Sequence, residues 1–464
     1  MKMLWEAADR GVELPLSSLP VDLQACITGG DGVADHYGGR TGFTFVEQSD
    51  DCVLFVELSK NDQIVARSAV NLTGGYGTGI LGSATAVLAG SMASSVQRAA
   101  TANDEFHSPA RFRLVKLVKE AIAAHTASDP ADWDITFTST GTEAMDLALQ
   151  LVCLDGFDLA TGLSKRREKD VIVACHGAWH GWGLGPTQLL DRRQFTDGLP
   201  KLAGQETVFM IYNDIDSLRR TFDAFRGRIR AVVVEGILGD GGVIPASNEW
   251  WAELIELAER ENARVIDDEI LSGFRTGQVL AVPPGIQPSC ITLGKALGLG
   301  LFPMSAVAWR KATLSIRLGA GVRTFNARPY QATLVSEAIE YISNEGLMER
   351  SSRLGTALIQ QLRTIVDRYP RVFKDVRGQG LFVGLELADA YARDGRGMRD
   401  RLLRHGVLVE VESGIFNRRV PKPSRINETL RLTPPLTISE ANLRNAVSAI
   451  DTCCSELDAV SVAA

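Results

Sequence analysis

Little in this chain suits disulfide, metal or nucleic-acid chemistry. Its seven cysteines are scattered, and even the adjacent Cys453-Cys454 lacks metal or redox spacing. An odd, unpatterned set fits reduced thiols in a cytoplasm better than a disulfide framework. Histidine is scarce, six in 464 residues. His176 and His180 stand close together, but no further Cys or His at ligand spacing supports a zinc site, so no metal is expected. Basic residues are not in excess: 49 Lys and Arg against 56 Asp and Glu leave a net charge of −7. That balance argues against nucleic acid or an anionic membrane as partner. A long apolar run is also missing. The uncharged stretch 68–97 is rich in Gly, Ser and Thr and contains Asn71, which makes it too polar for a membrane span. It predicts a loop followed by a helix of small residues packed closely against something. The N-terminus carries Glu6, Asp9 and Arg10 with no apolar run, so no secretory signal is expected. Repeats, low-complexity tracts and charged tails are absent.

What is present is an ordinary enzyme composition, 45% hydrophobic and 23% charged, long enough for a large core and two domains. From about residue 110 to 310, apolar runs alternate with helical patterns, which predicts a parallel sheet with crossover helices. The strand candidates are 134–138, 170–174, 231–234, 264–266 and 290–292. Trp251, Leu254, Ile255, Leu257 and Ala258 recur at helical spacing between two of them. Beyond about residue 343 the texture changes: helical segments lead to a Gly-punctuated strand over 377–386, then strands at 406–411 and 429–433. This predicts a smaller α/β domain closing over the larger one. The expected division is an N-terminal segment 1–85 packing with the small domain and the site, a large domain 86–342 and a small domain 343–464. Ligands of open parallel sheets sit at the carboxyl ends of the strands, and the candidate residues cluster there.

Asp268 ends one apolar strand, and Lys295 follows the next strand-like segment, one crossover later. A lysine where a buried strand meets a loop is costly unless chemistry needs an amine there. A P-loop is excluded, because Ala296 replaces the Ser or Thr and Ser289 the first glycine. The Gly75–Gly79 segment lacks the final glycine of a dinucleotide fingerprint. Upstream, Ser139-Thr-Gly-Thr-Glu-Ala144 follows a strand and opens a helix. Backbone amides and the dipole at a helix start form an anion site. Gly141 permits close approach, and Thr140 and Thr142 add hydroxyls. An ordinary capped helix start is the competing use of these residues.

With Cys175-His-Gly-Ala-Trp-His-Gly181 added, this set resembles the class III aminotransferases among the fold-type I pyridoxal phosphate enzymes, over most of the chain from about Leu72 onward. The resemblance implies an α/β fold-type I transferase, with a large mostly parallel-sheet domain and a smaller α/β domain, that uses pyridoxal 5'-phosphate. It assigns Lys295 to the cofactor's Schiff base and to proton transfer, and Asp268 to the protonated pyridine nitrogen. Trp179 and Ile270 fall on the two ring faces, with His180 beside Trp179, and Thr140, Gly141 and Thr142 on the phosphate. Thr324, in Thr324-Phe-Asn-Ala-Arg-Pro329, matches a threonine that reaches the phosphate of the neighbouring subunit, so a homodimer with shared sites is implied. Arg431 matches an arginine that binds substrate carboxylate. Asp240 stands where an acid pairs with that arginine when an amine-ended substrate binds, and a structural ion pair is the alternative for either charge. The chain departs from the family pattern at Leu271, Gly236, Ala327 and Arg328. The implied activity is transfer of an amino group between a small amine or amino acid and a 2-oxo acid. The alternative is an aminomutase or racemase, toward which Leu271 and Gly273-Phe-Arg275 lean; the Asp240/Arg431 pair leans toward transfer.

Overall fold

Runs of β-branched residues build a seven-stranded central sheet: β1 (Trp133–Thr138), β2 (Val171–Cys175), β3 (Glu206–Met210), β4 (Ile229–Glu235), β5 (Arg264–Glu269), β6 (Cys290–Leu293) and β7 (Ser305–Arg310). Its lateral order in the computed structural model is β1-β7-β6-β5-β4-β2-β3. The structure describes residues 1–34, 41–99, 103, 105–158, 163–164, 166, 168–201, 204–317 and 319–463. Neighbours from β3 through β6 pair in parallel, while β7 runs antiparallel to both β6 and β1. Every residue of β2 and β4 is buried, as a parallel strand covered on both faces requires.

The expected strands are all present, four with longer bounds and the one expected over 170–174 shifted by one residue, and two were not foreseen. β3 is a half-exposed edge strand that opens on Glu206 and Thr207. β7 is Ser-Ala-Val-Ala-Trp-Arg, whose alanines suit a helix as well as a strand. The connection from β5 to β6 contains no helix. Gly273, Gly277, Pro283, Pro284 and Gly285 interrupt it, and these residues do not sustain one. The helix Asn248–Arg260 forms as its spacing predicts, with Ser247 accepting from Trp250 N and Trp250, Trp251, Leu254, Leu257 and Ala258 buried.

A second, four-stranded sheet forms toward the C-terminus, in the order Phe373–Gln379, Phe382–Leu387, Thr429–Leu432, Glu410–Glu412. The single strand expected over 377–386 is a hairpin instead, turning at Gly380 with φ +56°. The strand expected over 406–411 also divides. Val407–Leu408 joins the N-terminal sheet, parallel to Gln63–Asn71, while Glu410–Glu412 pairs with Thr429–Leu432. The remaining N-terminal strands, Glu13–Pro15, Phe43–Ser49 and Cys52–Leu58, are antiparallel. Residues 68–71 of the small-residue stretch therefore belong to a strand, followed by turns and the helix Ala89–Ala99. Thr433 N donates to Leu72 O at 2.6 Å, so the start of this stretch is tied to the C-terminal part. Among the described residues, no helix is long and apolar enough to cross a membrane.

The helix Leu347–Arg368 crosses the hairpin at Gly355, where an added Cβ would lie 1.9 Å from Gly380 O. Gly355→Ala should lower stability by about 1–3 kcal/mol through overpacking, despite the ~1 kcal/mol that alanine gains over glycine inside a helix. A urea midpoint that is unchanged or raised would contradict this close approach.

Candidate active site

Three parallel strands bring three polar residues level at the carboxyl edge of the sheet. Glu235 of β4 is in register with Asp268 of β5, which is in register with Thr292 of β6. A carboxylate buried there needs donors, and Asp268 has them. Its Oδ1 accepts from Thr292 Oγ1 at 3.1 Å and from Ile270 N at 3.1 Å. Its Oδ2 lies 2.7 Å from His180 Nδ1, and both side chains are almost wholly buried. The other nitrogen of that ring, His180 Nε2, is buried without a partner. Asp268 thus holds neutral and imidazole donors, a set that fits a further N–H donor such as a protonated ring nitrogen.

Glu235 supports the same edge from beneath the Trp179 loop. Its Oε1 accepts from Trp179 N and its Oε2 from Gly239 N, each at 3.0 Å. Burial first, with Asp268's charge adding to it against His180, pushes the Glu235 carboxyl up to about 7. Glu269, next to Asp268, faces the opposite way and accepts from Ser272 Oγ, Ala281 N and Val282 N. It is structural, as strand alternation predicts.

The helix Gly141–Leu154 starts directly above this edge. Thr140 is its N-cap, accepting from Glu143 N at 3.2 Å, and Glu143 Oε2 reaches back to Ser139 N at 2.7 Å. The capping use of Thr140 is therefore real, and its hydroxyl proton is still left to donate. The first amides of the helix have no carbonyl within it to bond, which makes them candidate anion donors. Thr142 Oγ1 accepts from Trp182 N at 3.3 Å. Ile270 ties the parts together: its side chain lies 3.0 Å from where a Cβ on Gly141 would sit, and 3.1 Å from a Cβ on Gly294. Side chains at either glycine would crowd the space between helix start, Asp268 strand and lysine.

Lys295 follows Gly294 at φ +37°. A non-glycine residue in that left-handed region costs about 1–3 kcal/mol, and such strain gathers at functional sites. Its side chain is half-buried. Burial first, then the charge of Arg431, lowers its amine to about 8, against the opposing pull of Glu410 and Glu412.

The structure, which holds no substrate, does not pair Asp240 with Arg431. Arg431 is tied to Glu410 and, at 2.6 Å, to Glu412, and all three are buried. The cause is register: Glu410 lies opposite Arg431 on the adjacent strand, and Glu412 shares its face. Asp240 pairs instead with Arg192. Thr324 stands apart from the cluster, exposed between exposed Val322 and Phe325. Sequence reasoning missed Glu235 as a loop anchor, Thr292, Glu410, Glu412 and Arg192. Glu235 and Thr292 were visible as polar residues closing apolar runs, whereas the other three have no signal without register. No group of three or more His, Cys, Asp or Glu placed to hold a metal ion occurs among the described residues.

A helix start with free amides, a buried carboxylate open to a further N–H donor and an amine of lowered basicity form a set that fits pyridoxal phosphate on an α/β sheet. The chain belongs to the class III aminotransferase family, whose model matches residues 65–454. Similar sequences include the mitochondrial ornithine aminotransferases of Oryza sativa subsp. japonica, 32% identical over 67% of this chain and 63% of that protein, and of Arabidopsis thaliana, 34% identical over the same shares. The match thus spans less than two thirds of these relatives. The ornithine aminotransferase of Toxoplasma gondii ME49 has the same fold, with TM-score 0.77 and 21% identity over 95% of this chain and 97% of that one. So does an amine transaminase from an uncultivated Pseudomonas species, with TM-score 0.73 and 20% identity over 92% and 97%. The fold is fold type I.

The Lys295 amine should react with an amine-modifying reagent in cofactor-free protein with a midpoint near pH 8, the neutral form above it being reactive. Arg431→Met removes a positive charge and frees two glutamates. Both effects favour protonated lysine, so the midpoint should rise. Peptide-resolved labelling that shows no shift, or a downward one, would contradict the electrostatics.

Proposed function

We propose that the chain is a pyridoxal-phosphate-dependent aminotransferase that moves an amino group between a small amine or amino acid and a 2-oxo acid. The observation that carries this is the Asp268–Thr292–His180 cluster on one strand edge, with Lys295 at the end of the adjacent strand. When bound, pyridoxal phosphate supplies a carbonyl that takes amines and a ring that accepts carbanion electrons.

Each residue then has a defined task. The amides of Gly141 and Thr142 and the hydroxyls of Thr140 and Thr142 hold the phosphate. Trp179 and Ile270 hold the ring between them, and His180 orients Asp268. Asp268 keeps the proton on the ring nitrogen. Lys295 Nζ, in part unprotonated at neutral pH, takes the proton from the donor carbon and returns it on the far side of the transfer. The charge of Arg431 helps to keep the lysine amine of low basicity. A substrate carboxylate that used this arginine would have to displace Glu410 or Glu412. Residues 86–342 serve as the cofactor-binding domain in this reading, with 343–464 and the N-terminal segment closing over it. The names of the relatives favour an amine-ended amino acid as donor and favour transfer over isomerisation, and consumption of a 2-oxo acid in a coupled assay separates those two. Scattered cysteines support a reducing, cytoplasmic setting. Borohydride reduction followed by peptide mapping should find the cofactor on Lys295; an adduct elsewhere, or none, would overturn the assignment.

A homodimer with shared sites is part of the proposal. Exposed apolar side chains lie on the loops that carry candidate residues: Trp182, Leu301, Val322 and Phe325. Such exposure marks surfaces that other chains cover. Thr324 sits between two of these residues. Mixed dimers of Lys295→Ala and Thr324→Ala subunits place both lesions in one site and neither in the other. Activity should reappear on mixing; confirmed subunit exchange with no recovery would mean that Thr324 serves its own subunit.

A further inference from the structure

Buried Arg192 and half-buried Asp240 form a charge pair that none of the roles above uses. Arg192 is 7% exposed. Its guanidinium is paired with Asp240, donates to Ser413 Oγ at 2.9 Å and to Gly177 O at 3.4 Å, and lies 5.7 Å from the centroid of the Trp179 ring. These partners come from three separate segments: the loop after β2, the turn after β4 and the residue after the small-sheet strand Glu410–Glu412. Backbone contacts show how tightly the segments meet. Gly414 N donates to Asp240 O at 3.1 Å. Gly177, at φ +83°, has no room for a side chain, since a Cβ there would sit 2.7 Å from Ile415 and 3.1 Å from Gly241 Cα.

Trp179 is fixed from several sides. Its amide is anchored on Glu235, and Trp182 and Phe195 meet its ring edge-on at 5.2 Å and 6.3 Å. Arg192 supplies a charged contact to the same ring, and it also lines a cavity of about 560 Å³ with Asp191, Arg393, Ser413 and Asn417. Beside its aromatic contacts, the Trp179 ring thus has over it a guanidinium that also forms part of the cavity wall. A desolvated guanidinium attracts an indole face more strongly than an exposed one. Asp240 supplies the counter-charge without which a buried cation is costly.

We propose that Arg192 is a positioning residue: held by Asp240 and Ser413, it sets the plane of Trp179 and couples that ring to the seating of the small sheet. The proposal rests on the reading that Trp179 faces the cofactor. Arg192 does not touch the reacting atoms in this account. Its effect is on how firmly the ring of the cofactor is held and on whether that hold depends on Ser413.

The test compares wild type, Arg192→Met, Arg192→Lys and Asp240→Asn as full-length holoenzymes. It reads the dissociation constant for pyridoxal phosphate, the near-UV circular dichroism of Trp179 (isolated with Trp179→Phe), and kcat and KM for the amino donor. Arg192→Met should raise the cofactor dissociation constant about tenfold or more, change the Trp179 dichroism and lower kcat more than it changes KM. Arg192→Lys, which keeps the charge but not the planar face, should recover part of each effect. If Arg192→Met does not fold, Asp240→Asn, which removes the acid paired with the guanidinium, should still move cofactor binding and dichroism in the same direction. Wild-type cofactor binding and dichroism in the variants that fold would overturn the proposal. A change in KM alone would do so too, because it would make Arg192 a direct substrate contact. A wild-type protein that takes up no pyridoxal phosphate would instead refute the functional reading, before Arg192 is considered.

Discussion

The buried carboxylate of Asp268 is the interaction on which the rest of the site depends. A carboxylate taken from water at a sheet edge must be repaid by donors. The parallel register supplies Thr292, the turn after β5 supplies Ile270 N, and the loop after β2 supplies His180. Its acidic neighbours are kept from competing with it. Glu235 is held up to about 7, chiefly by burial. Asp267 is held well above the ordinary carboxylate range by burial first and then by Glu269. Like charges crowded in one place cannot all ionise. The fold thus concentrates acids on two strands while leaving one of them furnished with an outward set of donors.

Lys295 is prepared by different means. A strained backbone angle presents it at the end of β6, and burial together with the Arg431 charge reduces its basicity. The arginine is itself neutralised from the neighbouring strand, so the amine sits beside an alternating set of charges rather than beside a single cation. This set includes residues of both sheets, and Arg192 with Asp240 and Ser413 adds another link across the same seam. Segments of the large and small sheets are therefore joined through charged side chains as well as through packing.

Legibility in the sequence followed the range of the interaction. Asp268, Lys295 and the Thr140–Thr142 helix start were readable, because each is a local event at the end of an apolar run. The helix Asn248–Arg260 was readable for the same reason. Partners fixed by strand register were not. Arg431 and Asp240 were both singled out as charged site residues, yet Glu410 and Glu412, which hold Arg431, emerge only once strands are aligned, and Arg192, which pairs with Asp240, only once distant loops are brought together. Glycine misled in two places. At Gly380 it marks a reversal inside what reads as one strand, and between β5 and β6 glycines and prolines leave a crossover without its helix. The edge strand β3 and the alanine-rich β7 lacked the composition that marks a strand.

Asp268 is proposed to hold a proton on the ring nitrogen of the cofactor. The most direct measurement is the ¹⁵N chemical shift of that nitrogen in protein loaded with ring-labelled pyridoxal phosphate, in wild type and in Asp268→Asn. A protonated pyridine nitrogen is expected in wild type well above the pH at which the free cofactor loses that proton. In Asp268→Asn the nitrogen should be unprotonated under the same conditions, with the cofactor still bound. An unprotonated nitrogen in wild type, or a protonated one in the variant, would contradict this role of Asp268.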